Sequence, residues 1–199
     1  YIYSLGLVGC LLAGFINGLG SILFYTGLSR IDAGIGQLLY SFYPLFVAFW
    51  LFIDRQSISK VTLLRLLLSL PGVFLLLNNS SKKVDMVGAA MMFGAALLYA
   101  LHLLINQRVL YEVPAPTVTF YTLLGMSITV TAVFLLFNPT LPTAGTSWVP
   151  LIELGAITFL ARFALFLGVK QLGGMQTSLL GLGELLVTLV GSYFLLHEY

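Results

Sequence analysis

Charge is the scarcest commodity in this sequence. Only 8% of its 199 residues are Asp, Glu, Lys or Arg, where a soluble domain carries about 25%. The formal net charge is +2 and no basic run is present, which excludes a nucleic-acid-binding chain. The only histidines, His102 and His197, lie far apart and Cys10 is the sole cysteine. No metal-ligand spacing can be assembled from them, and no intrachain disulfide can form. Cys10 sits among apolar residues and reads as a small buried hydrophobe. No glycine-rich phosphate loop supports ATP-driven pumping, and no Ser–His–Asp set appears. The sequence therefore names no catalytic residue, no metal, no cofactor and no enzyme. A basic segment ahead of the first apolar run, as in a signal peptide, is missing too. With Tyr1 in the first place, the chain is expected to start inside a longer natural sequence.

What remains is apolar. Hydrophobic residues make up 59% of the chain, and its mean hydropathy is +1.03. A membrane-spanning helix needs about 20 mostly apolar residues. Seven such stretches are expected, at roughly 3–28, 33–53, 61–78, 86–107, 117–137, 150–171 and 175–196. Short joints rich in Asn, Ser, Gly and Pro make each antiparallel to the one before. The fold class is thus all-α, a polytopic helix bundle whose first partner is the lipid bilayer. Basic residues do not orient it: Arg55, Lys60, Arg108 and Lys170 on one side stand against Arg30, Lys82 and Lys83 on the other, close to a tie. Gly14 and Gly18, Ala90 and Gly94, and Ala96 and Ala100 are spaced for close helix packing. Pro44 and Pro71 each free a carbonyl inside a span; a kink at Pro44 would either shape a cavity or simply bend the helix. Asp85 and Glu153 lie at helix starts, where the dipole favours acids.

Helices one and two can be laid on helices six and seven at an offset of 141 residues. Gly27 then falls on Gly168, Leu38 and Leu39 on Leu179 and Leu180, and Leu45 on Leu186. Ser21 falls on Arg162 and Tyr43 on Glu184. Both units read long helix, short joint, long helix. Five spans separate their starts, so the second unit is inverted, as in inverted-repeat transporters.

Three stretches carry a resemblance: LFYTGLSRIDAGIGQLLYSFYPLFVAFWLFIDRQSIS at 23–59, VGAAMMFGAALLYALHLLINQRVL at 87–110 and ALFLGVKQLGGMQTSLLGLGELLVTLVGSYFLLHEY at 164–199. The chain resembles the EamA-like branch of the drug/metabolite transporter superfamily. Tyr25, Gly27, Ala33 and Pro44 fall on its first pattern, Tyr99–Ala100 on its aromatic–small pair, and Glu184 and Glu198 on its acidic places. Leu185 stands where the family has a proline, and Ser57 where it has an acid. The resemblance implies ten helices in two inverted five-helix repeats. Residues 1–78 would close the first repeat and 79–199 form most of the second. The family's first two helices and its last would lie outside this chain. The family topology, with both termini cytoplasmic, places joints two, four and six inside, in a plasma (cell inner) membrane.

Two charges sit deep. Arg162 is near the middle of helix six and Glu184 near the middle of helix seven, where a charge costs about 3 kcal/mol. Counted from their shared joint, their heights differ by only about 3 Å. They either pair, fixing helix packing, or line one wet cavity. In the latter case Arg162 holds an anionic group, and Glu184 accepts an ammonium group or a coupled proton. Gln37, Tyr40 and Tyr43 form one stripe on helix two, and Asn17 is central in helix one; cavity wall and interhelical hydrogen bonding are both open to them. His102, one turn from Tyr99, is a proton-linked group or a packing residue. The candidate solute-binding set is Arg162, Glu184, Tyr43, Tyr40, Gln37, Asn17, Tyr99 and His102.

The function expected is secondary transport, by export or exchange, of a small organic metabolite or drug-like solute through a midplane site between the repeats. The alternative is a seven-helix receptor or another non-transporting membrane protein. A DRY-like triplet, an NPxxY segment and a lysine for retinal are missing from the places such receptors need them.

Overall fold

The computed structural model describes residues 3–31, 33–56, 85–137 and 148–184, together with 60, 64, 67 and 187. Every regular element among them is helical. The elements are α1 (Ser4–Leu28), α2 (Ala33–Tyr40), α3 (Tyr43–Ile53), α4 (Met86–Leu110), α5 (Ala115–Phe137), α6 (Val149–Leu172) and α7 (Gly174–Gly181). Five stretches are long and apolar enough to cross a membrane: α1, Ile35–Ile53 across α2 and α3, α4, α5 and α6. By length and composition this is an integral membrane protein. The expected span at 61–78 lies outside the described residues apart from Leu64 and Leu67. That at 175–196 is described only as far as Glu184 and at Val187.

Two expected helices are interrupted. Helix two breaks at Ser41 and Phe42, just before Pro44, which has no N–H to give. Phe42 N–H turns to Leu39 O at 3.3 Å, and Ser41 Oγ donates to the abandoned Leu38 carbonyl at 2.6 Å. An unbroken helix was expected from 175, yet α7 stops at Gly181 and helix resumes at Gly183. No proline acts here. Gly181 and Gly183 flank the break, and each disfavours helix by about 1 kcal/mol relative to Ala.

Glycines decide how close α1 comes to its neighbours. It runs parallel to α5, with Gly14 opposite Gly125 and Gly18 against Thr129. A Cβ on Gly125 would lie 2.8 Å from Leu11 O. A Cβ on Gly14 would run into the Thr122 carbonyl oxygen. Against α4 it runs antiparallel, with Gly27 on Gly88 and Gly20 on Ala95. In lipid such close backbones replace the hydrophobic effect as the source of helix attachment. The opposite face of α1 carries exposed Leu5, Val8, Leu12 and Phe15, a surface for acyl chains. Cys10 is buried, as its surroundings imply.

Polar chemistry gathers at helix ends. Asp85 caps α4, accepting from Val87 N–H at 3.2 Å, and pairs with Arg30 at 3.6 Å. At the end of α3, Gln56 N–H reaches Leu51 O and Arg55 N–H reaches Phe52 O, the Schellman pattern. Arg55 fills its left-handed position with φ 55°. Asp54 beside it accepts from Arg108 and Gln56. The Arg108 hydrogen bond holds the Asp54 carboxyl below the usual carboxylate range.

Two outcomes follow from this packing. Gly14→Val destabilises the protein by about 3 kcal/mol or more, because the obstructing atoms are backbone. Gly155→Val, at a glycine with nothing within 4 Å, leaves the melting temperature of the purified protein far less changed. Arg55→Gly raises stability by about 1 kcal/mol, the cost of a side chain in left-handed backbone, read from the same melting curves.

Candidate solute site

The two helix breaks meet. At the second, Leu182 N–H bonds to Leu179 O at 3.2 Å instead of to Ser178 O. The Ser178 carbonyl thereby loses its helical donor, and the buried Tyr43 hydroxyl takes that place at 2.9 Å. Tyr43 starts α3, directly after the first break. Before that break, Gln37 Nε2 donates to Glu184 Oε1 at 3.4 Å, directly after the second. At the offset of 141 residues, Ser178 corresponds to Gln37 and Glu184 to Tyr43. The two bonds are therefore crossed equivalents: 43 reaches the mate of 37, and 37 reaches the mate of 43.

Around this crossing lie two adjoining cavities, of about 160 and 400 Å³. The larger is by itself in the range of small-molecule sites, about 300–1,000 Å³. Tyr40, Tyr99, Arg162 and Glu184 line both and form the boundary between them. From α1 the smaller lobe takes Asn17, Gly20, Ser21 and Phe24, with Tyr25 beyond. From α6 the larger takes Thr158, Ala161, Arg162 and Leu165, with Ile157 before them. The numbers 158, 161, 162 and 165 are 17, 20, 21 and 24 each raised by 141. Residues at this constant offset thus line both lobes, and Arg162 borders the two.

The charges are held apart from one another. Among the described residues no ion pair within 4.0 Å joins Arg162 to a carboxylate. Its guanidinium lies over the Tyr99 ring, 5.4 Å from the centroid, a cation–π arrangement. Tyr99 in turn belongs to a cluster with Tyr40 and Tyr43, at centroid separations between 5.1 and 5.8 Å. Glu184, exposed to the cavities, receives the long bond from Gln37. Of the two arrangements open to Arg162 and Glu184, the protein has the shared cavity rather than the direct pair.

The remaining residues of the expected set divide. Gln37 and Asn17 line the smaller lobe, and Tyr43 the larger. Asn17 is nearly buried and its amide donates to Met126 Sδ at 3.2 Å. His102 lines neither lobe. It stands behind Tyr99, stacked on it at 5.8 Å, with Phe166 on its other side. Its Nδ1 lies 3.0 Å from Ala13 O. Asn106 Nδ2 lies 3.1 Å from the same Nδ1, and Nε2 is buried without a hydrogen-bond partner among the described residues. Asn106 donates to His102 O at 3.0 Å and accepts from Thr122 Oγ1 at 3.0 Å. This network ties α1, α4 and α5 together directly behind the cavity wall.

Sequence reasoning missed the α6 wall of Ile157, Thr158, Ala161 and Leu165, and Gly20, Phe24 and Ala95 of the smaller lobe. A signal existed. Once Ser21 is set on Arg162, the residues three and four places away follow by helical geometry. Apolar residues in a spanning helix otherwise look alike whether they meet lipid or a cavity.

No protein-family model matches this chain, and no curated protein matches it as a relative.

Tyr43→Phe removes the donor from a buried carbonyl and costs about 1–3 kcal/mol. Thermal unfolding of the purified variant measures that loss, and an unchanged midpoint refutes the bond's role.

Proposed function

We propose that the chain belongs to a secondary transporter of the EamA-like type within the drug/metabolite transporter superfamily. Its two lobes are halves of one solute site, lying between inverted repeats that meet near the bilayer midplane. Residues 1–78 supply the end of the first repeat and 79–199 most of the second. The observation that carries this reading is the crossed pair of bonds between corresponding helix breaks, with matched faces of α1 and α6 beside it. Interrupted spans at corresponding positions of two halves are where transporters place their sites. Backbone without helical partners is tolerated at membrane depth only where protein or a wet cavity satisfies it.

The roles follow from chemistry. Arg162 binds an anionic group of the solute, its planar fork suited to a carboxylate. Glu184 receives an ammonium group or a coupled proton. Tyr40, Tyr43 and Tyr99 form the aromatic wall that positions Arg162, with Gln37 and Asn17 as neutral polar contacts. His102 acts from behind Tyr99, holding the wall to α1. The solute is a small organic metabolite or drug-like compound, moved by export or exchange across a plasma membrane. Rocking of one repeat against the other opens the site to alternate sides.

A solute screen with the full-length protein in liposomes tests this. Arg162→Gln and Glu184→Gln each lower transport of the identified solute by about thirtyfold or more, the cost of removing one desolvated charge contact. Both variants transporting at the wild-type rate would remove the site. No transported solute in the screen removes the transporter reading itself.

A further inference from the structure

We propose that the groove between α3 and α4 binds one anionic phospholipid, with its phosphate at Arg108 and an acyl chain in the apolar slot below. The groove shares no lining residue with the two lobes, and the proposal does not depend on the transporter reading.

The groove follows from how the two helices run. They lie side by side in the same direction: Phe46 meets Phe93, Trp50 Nε1 donates to Leu97 O at 3.2 Å, and Asp54 pairs with Arg108. The spans Ile35–Ile53 and Met86–Leu110 both end within a turn of this pair. The pair therefore stands where the apolar layer meets water. Beneath it is a third cavity, of about 240 Å³, lined by Trp50 and Ile53 of α3 and by Leu101, Leu104 and Ile105 of α4. From Arg108 down to Leu101 the slot runs about 10 Å along the helix. Ile53 at its lip is exposed. Trp50 suits this level of a bilayer, with its ring among aliphatic side chains and its N–H already satisfied.

The occupant must match an apolar slot closed by charge at one end. An apolar slot does not hold ordered water. A free anion would meet the rim and leave the slot empty, and a hydrocarbon would fill the slot and leave the rim unmet. A phospholipid does both. The rim has donors to spare: the Arg108 side chain is 63% exposed although paired. Asp54 is its only hydrogen-bond acceptor among the described residues, whereas a guanidinium carries five N–H groups. The others suit phosphate oxygens. Arg55, exposed and next to Asp54, adds a second guanidinium against the single carboxylate. That excess selects an anionic head group over a zwitterionic one.

The test uses the purified full-length protein in detergent, mixed with equal amounts of phosphatidylglycerol and phosphatidylcholine bearing the same acyl chains. Native mass spectrometry counts the lipid retained. One phosphatidylglycerol is retained about tenfold over phosphatidylcholine. Arg108→Gln lowers that preference to about twofold or less, and Arg108→Lys keeps most of it. The exposed ion pair adds little to stability, so both variants melt as the wild type does. Ile105→Trp fills the slot and lowers phosphatidylglycerol retention about tenfold; Ile53→Trp, at the exposed lip, does the same should the first variant not fold. Equal retention of the two lipids by the wild type overturns the proposal. So does a wild-type preference in Arg108→Gln, or undiminished retention in a folded slot-filling variant. No retained lipid, with a dimer that Ile105→Trp dissociates, gives the slot to a second copy and overturns it. No retained lipid, with a monomer that Ile105→Trp destabilises, gives it to another segment of the chain and overturns it equally.

Discussion

The Ser178 carbonyl has no helical donor, and the Tyr43 hydroxyl replaces it. Inside a bilayer an unmet carbonyl costs several kcal/mol, because no solvent is there to meet it. The break in α7 at the buried Ser178 is met by a donor from another helix. Tyr43 supplies it from the first position of α3, directly after the break before Pro44. The two interruptions are thus joined by one hydrogen bond, and the cavities lie beside it. Gly181 is part of the same constraint, since any side chain there would occupy the position of the Tyr43 hydroxyl.

Behind the breaks stands a rigid frame. Gly14, Gly18 and Gly125 bring α1 and α5 to backbone contact, and Gly27 and Gly88 do the same for α1 and α4. The His102–Asn106–Thr122 network crosses those three helices in a region with no solvent. It supports Tyr99 from behind, and Tyr99 supports Arg162 from in front. The order matters for the site. The guanidinium lies over the Tyr99 ring and forms no ion pair with Glu184.

The short joint between the helices of Arg162 and Glu184 and the stripe of Gln37, Tyr40 and Tyr43 were legible in the sequence. Each is a matter of counting residues along a helix of known rise. The break before Pro44 was legible for the same reason, because proline removes a donor wherever it stands. The break at Leu182 was less so: Leu185 stands where a proline would have announced it, and glycine in a membrane helix serves packing as often as bending. His102 lies one turn from Tyr99, which by sequence groups it with the cavity residues. A turn along the helix also rotates the side chain, and that rotation puts His102 behind the wall.

By itself the sequence determined an all-helical class among the described residues and stretches long and apolar enough to cross a membrane. These follow from hydropathy and rise per residue, both of which are local or additive. Only the tertiary structure decided how each helix is rotated about its axis. That rotation set Arg162 on Tyr99 instead of on Glu184, turned Ile157, Ala161 and Leu165 toward a cavity, and sent the Tyr43 hydroxyl to Ser178. In an apolar span, the side chains differ too little in hydrophobicity for a periodic pattern to fix that angle. It is fixed instead by where glycines let backbones touch and where a stranded carbonyl finds its donor.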